Sequence, residues 1–181
     1  GGNYIADDLD SWLIGPLSIL FKLNNGYIRQ TQQLRAALER EMAILAARKC
    51  TPLDAAELWR ILSNIDKAED EKIRGELDKE LHTQIAKIAN NPMIYSVLAA
   101  ADQLTENIIA GTRDYIMKKN RPEFKVDEQH RLLVEAIINN DEKGAEQYMS
   151  EHMEIIEKCM DEMQKNSNNK RPANGIVIGG E

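Results

Sequence analysis

His130 and His152 stand eleven residues on either side of Asp141, within VDEQHRLLVEAIINNDEKGAEQYMSEHM over residues 126–153. Eleven residues make about three turns at ~3.6 residues per turn, so each ring returns to the phase of the polar break Asn139-Asn140-Asp141. Two helices folded back at that break bring the imidazoles face to face at one level. His130 shares an apolar stripe with Leu133, Val134 and Ile137, and His152 shares one with Met149, Met153, Ile156 and Met160. A single inward histidine is ordinarily a hydrogen-bonded core residue. Two set opposite each other point to paired ligands.

The third histidine extends the pattern. His82 follows Asp78 by four residues in ELDKELHTQIAKIA, so both project from one helix face, with Leu81, Ile85, Ile88 and Ala89 on the same side. A carboxylate on a core face is costly unless it is paired, protonated or bound to a metal. The chain has 3 histidines, and all of them fall on inward faces. One aspartate and three imidazoles suit a divalent transition ion. The predicted metal site is therefore Asp78, His82, His130 and His152. Such a site follows metal availability and geometry, which puts zinc first and nickel or manganese after it.

Helices must position these groups. Tyr27 to Arg48 reads as one, with Leu34, Leu38, Met42 and Leu45 as core positions and Arg35 and Glu39 flanking them one turn apart. Thr51-Pro52-Leu53-Asp54 starts a second, with Thr as N-cap, Pro at the first helical position and an acidic residue at the third; it runs to about Ile65. A third covers Lys72 to Ala89, with its charges Lys72, Glu76, Lys79, Glu80 and Lys87 as a solvated face. Asn90-Asn91-Pro92 breaks it, and a further helix follows to about Lys119, with Val97, Ala101, Leu104, Ile108 and Ile116 inside. Lys118 to Lys125 is a basic loop, and the histidine hairpin closes near Lys165. Short loops make the expected fold all-α, an antiparallel bundle of six to seven helices.

Composition agrees. Aromatics are scarce at 5%, which favours a helical bundle over a sheet protein. At 181 residues, one domain of roughly 140 residues with extensions is the natural reading. The formal charge of −7 argues against this chain gripping nucleic acid by itself. Cys50 and Cys159 form neither a disulfide framework nor a CxxC site, and are expected to be buried thiols in a reducing compartment. There is no run of about 18 apolar residues to span a membrane and no signal peptide, so a cytoplasmic location is expected. No Gly-rich phosphate loop, GxSxG elbow or HExxH pattern occurs. Trp12 to Phe21 is strongly apolar and is expected to be covered by a second copy or a neighbouring domain.

In order along the chain come Arg35-Ala-Ala-Leu-Glu39, Leu45-Ala-Ala-Arg48, Asp78-Lys-Glu-Leu-His82, Ala89-Asn-Asn91-Pro92, Glu128-Gln-His130, Asp141-Glu-Lys-Gly-Ala145 and Glu151-His152. This series resembles the C-terminal effector-binding (FCD) domain of the FadR subfamily of GntR-type bacterial transcription regulators, over about Tyr27 to Lys165. The resemblance implies an all-helical dimeric domain with Asp78, His82, His130 and His152 as metal ligands. It also implies Arg35 and Asn91 as pocket residues for a small carboxylic-acid effector. Residues 1–25 then correspond to the end of a winged-helix wing and an interdomain linker, 26–165 to the effector-binding domain and 166–181 to a flexible tail. DNA contact is implied only through an N-terminal winged helix-turn-helix domain absent from this chain. The sequence departs from the family where Ala89-Asn90 precede Asn91 in place of Ser-Gly, and where Leu81 replaces an aromatic before the first histidine. Read without the resemblance, Arg35 is a surface arginine paired with Glu39, and Asn91 is a helix-break residue.

Three functions compete at this point. A sensor domain would bind an organic acid at the metal; a mononuclear metalloenzyme would activate a water there; a structural metal would only support dimerisation. The first is favoured, because no further inward acid or base is evident beside the four ligands.

Overall fold

The computed structural model describes residues 27–102 and 125–169, together with Pro16 and Gly111. Among these residues there are six helices and no strand: α1 Tyr27–Lys49, α2 Pro52–Lys67, α3 Glu71–Ala89, α4 over residues 92–102, α5 Val126–Ile138 and α6 Glu142–Asn169. Most of the expected linker, most of the expected helix beyond residue 102, the basic loop up to residue 124 and the tail beyond residue 169 lie outside the described residues, while residues 166–169, expected in the tail, continue α6.

Local chemistry sets the helix ends. Thr51 and Asp54 form a reciprocal capping box with Pro52 in the first turn of α2, as the sequence predicts. Asp70 caps α3 by accepting from the Lys72 and Ile73 amides, which satisfies donors that would otherwise lack partners. Asn90 ends α3 in the left-handed region, at φ 46°, a conformation asparagine tolerates better than most residues. Lys49 Nζ donates to the Ala89 carbonyl at 2.6 Å, placing a cation at the negative end of α3.

Ion pairs between elements give the helix directions. Arg29 meets Glu157 and Asp161, Arg40 meets Glu146, and Arg48 meets Glu142, so α1 and α6 are antiparallel. Asn140, at φ 55°, turns α5 into α6, and its Nδ2 donates to the Ala47 carbonyl at 2.6 Å. α1 packs against α3, α5 and α6, while α2 packs on the far side against α3 and α5. The core comprises Met42, Leu58, Ile61, Leu62, Ile65, Leu81, Ile85, Leu133, Ile137 and Met149, among others.

Two sequence expectations fail here. On α1 only Met42 of the expected stripe is buried; Leu34 is 39% exposed, and Leu38 and Leu45 are half-buried. The helix is rotated so that Gln32, Arg35 and Glu39 face inward beside Ala43 and Ala46. Apolar periodicity misplaces this face because polar partners on α3 and α4 hold the charged residues inside. Likewise, Cys159 is buried but Cys50 is half-exposed at the end of α1.

Candidate metal centre

The bundle brings the three histidines together. His82 comes from α3, His130 from α5 and His152 from α6, with one ligand-type nitrogen from each lying within 4.8 Å of the others. Ring centroids are 4.7 Å apart for His130 and His152, 5.1 Å for His82 and His152, and 5.7 Å for His82 and His130. The hairpin therefore does what its symmetric spacing predicts. Asp78 sits one turn before His82, and its Oδ1 lies 3.1 Å from His130 Nε2, within ion-pair range.

The interior offers these rings little else. His130 and His152 are 1% and 3% exposed. Neither His130 ring nitrogen makes a hydrogen bond, and nor does His152 Nδ1. Buried polar atoms nearly always find partners, and a shared divalent ion would satisfy all three rings at ~2.0–2.1 Å from nitrogen. The donor set fits a metal. Burial, followed by neighbouring His130 and His82, pushes His152 well below its ordinary pKa of 6.5 and holds it in the neutral form that ligation requires.

His82 has a partner of its own. Its Nδ1 lies 2.8 Å from Oε2 of Glu39, which is 1% exposed. Burial alone would lower the imidazole pKa, but the charge and hydrogen bond of Glu39 outweigh it and raise the group to about 9. Burial similarly acts to raise Glu39, yet His82 and then Arg35 hold it below the usual 4.5. Sequence reasoning assigned Glu39 no role at the site. The i, i+4 spacing of Arg35 and Glu39 is the same for a surface pair and a buried one.

Arg35 is 7% exposed and fully engaged: Nη1 donates to Gln32 Oε1 at 3.0 Å, Nη2 to Glu39 Oε1 at 3.1 Å, and Nε to Asp102 on α4. Burial raises the Asp102 carboxyl above its ordinary pKa in spite of the Arg35 charge. Asp102 is a further residue that the sequence did not single out. It joins His82, Lys79, Thr83, Tyr95 and Leu98 in lining a cavity of about 330 Å³ between α3 and α4, a volume suited to a small organic molecule. Asn91 lies at the start of α4, where its Oδ1 accepts from the Ile94 amide at 3.2 Å. Its observed work is capping, and it does not line the cavity.

The model of the FCD domain matches residues 30–155, which include α1 through α5 and half of α6. The chain belongs to the FCD-domain family. Its relatives are HTH-type transcriptional regulators, as the resemblance read from the sequence implies. Over 160 residues this FCD domain is 28% identical to the "Uncharacterized HTH-type transcriptional regulator YcbG" of Bacillus subtilis (strain 168), covering 86% of the chain and 63% of the relative. Over 164 residues it is 23% identical to the "Putative L-lactate dehydrogenase operon regulatory protein" of Escherichia coli (strain K12), covering 88% and 63%. The protein of the same name from Shigella flexneri matches to the same extent. The chain thus spans less than two thirds of these relatives' length. No helix among the described residues is long and apolar enough to cross a membrane.

Proposed function

We propose that this FCD domain is the effector-sensing and dimerisation module of a DNA-binding transcriptional regulator. It binds a small carboxylic acid beside a divalent ion held by Asp78, His82, His130 and His152, with zinc first in expectation and nickel or manganese after it. The observation that carries this reading is the convergence of three imidazoles from three helices, two of them with buried ring nitrogens that make no hydrogen bond. When bound, the ion supplies a positive charge and open positions for carboxylate oxygens.

The chain's own residues do the rest. Arg35 neutralises the acid, and Lys79 at the cavity wall adds a second cation. Because Arg35 already holds Asp102, an incoming carboxylate competes with an internal one. Its arrival would free α4 to move, and only a difference in affinity between the two arrangements can drive that shift. The relatives' names support regulation over catalysis. DNA contact is assigned to a winged helix-turn-helix domain on the N-terminal side, since the charge of −7 on this chain repels phosphate.

Calorimetric titration of a panel of small organic acids, L-lactate among them, into metal-loaded and chelator-stripped protein tests the reading. Binding should require the metal. Losing a charge-assisted hydrogen bond of about 1.5–3 kcal/mol predicts that Arg35→Ala weakens it roughly ten- to a hundredfold. Equal affinity with and without metal would make the ion structural, and no acid binding at all would remove the sensor reading.

A further inference from the structure

His82 is hydrogen-bonded by a fully buried carboxylate, whereas the carboxylate 3.1 Å from His130 Nε2, that of Asp78, is partly exposed. The Glu39 side chain makes two contacts with its two oxygens: Oε2 to His82 Nδ1 at 2.8 Å and Oε1 to Arg35 Nη2 at 3.1 Å. An ionised carboxylate accepts and cannot donate. The proton of the first contact therefore resides on His82 Nδ1, which leaves Nε2 as the nitrogen that can ligate once it gives up its own proton. Neither ring nitrogen of His130 is fixed in this way, and nor is His152 Nδ1.

We propose that Glu39 is the positioning residue of the metal centre: by accepting from His82 Nδ1 it makes Nε2 the ligating nitrogen, and by holding Arg35 with its other oxygen it fixes the anion-binding guanidinium relative to the metal. This rests on the metal-binding reading of the three histidines. The geometry explains why a full negative charge is kept inside the bundle on α1, where helical periodicity calls for leucine. Glutamine cannot replace it. Its carbonyl oxygen takes the place of only one of the two carboxylate oxygens, so in this geometry it meets His82 or Arg35, and its amide hydrogens face the remaining donor. If the amide turns toward His82, Nδ1 must become the acceptor and Nε2 carries the proton, which blocks ligation.

The test uses zinc alone as probe. Zinc affinity of the 181-residue chain is measured by competition with a chromophoric chelator for the wild type, Glu39→Gln and His130→Ala. Loss of a carboxylate that orients a ligating histidine typically costs about 10–100-fold in metal affinity, so Glu39→Gln should fall in that range and His130→Ala lower still. Wild-type affinity in Glu39→Gln, with loss in His130→Ala, would overturn the role of Glu39 and leave the metal site standing. Wild-type affinity in both would remove the metal site itself. A second measurement needs no substitution: long-range ¹⁵N–¹H correlation of the zinc-loaded wild type, with each ring assigned through its own side-chain carbons. A slowly exchanging proton on His82 Nδ1 and zinc on Nε2 is the expected result. The reverse pattern overturns the proposal.

Discussion

Glu39 and His82 are a buried ion pair in the metal-stripped domain, and their charge states set a pH dependence with a definite sign. His82 is raised from an ordinary 6.5 to about 9, so its contribution to stability is complete below pH ~6.5 and is lost as pH rises through the raised value. At ~1.4 kcal/mol per unit, that window is worth roughly 3 kcal/mol. The lowered pKa of Glu39 is the same interaction seen from its partner. His152 acts oppositely: its depressed value means that the unfolded chain takes up the proton first, so stability falls below pH ~6.5. Thermal melts of chelator-treated protein should therefore peak near pH 6.5 and decline toward pH 9. A melting temperature still climbing at pH 9 would contradict the pair. Asp102→Asn, which removes the carboxylate competing for Arg35, should tighten organic-acid binding in the same calorimetric assay; weaker binding would show that Asp102 supports the pocket instead of guarding it. The three converging histidines were legible because histidine is rare here and each one breaks an apolar stripe. Glu39 and Asp102 were not, since abundant acidic residues give no spacing signal until the fold shows which of them is inside.

At the scale of elements, the α5–α6 hairpin carries the site's precision. Asp141 Oδ1 accepts from the Gly144 amide at 3.0 Å, capping α6 and fixing the turn that sets His130 against His152. A Cβ at Gly144 would lie 2.9 Å from Asp141 Cγ and 3.2 Å from Ala136 Cβ, so Gly144→Ala must displace the capping carboxylate. Losing such a cap costs about 1 kcal/mol. Differential scanning calorimetry should register that loss, together with weaker zinc binding from a shifted α6; an unchanged melting temperature would mean that the turn adapts without strain. The hairpin was readable from sequence because a polar break lies midway between two residues of equal phase. The face of α1 was not. There, burial of Arg35 and Glu39 by partners on α3 and α4 overrides the leucine stripe, and Leu34 is left facing solvent.

The whole molecule is an FCD-family helical bundle whose outer helix α2 supports α3 and α5, while α1, α3, α5 and α6 supply the side chains of the proposed centre. We expect it to be a homodimer, on the strength of the apolar stretch from Trp12 to Phe21 and the need to cover it. Analytical ultracentrifugation of metal-loaded protein at micromolar concentration should give a dimer mass, and a monomer there would count against the expectation. The proposed sensor depends on one ion shared by helices α3, α5 and α6. Native mass spectrometry with elemental analysis, after exposure to an equimolar mixture of zinc, nickel and manganese, tests that most directly. The wild-type chain should carry one divalent ion per protomer and His152→Ala should carry none, whereas a metal-free wild type, or a variant as fully loaded as the wild type, would contradict it.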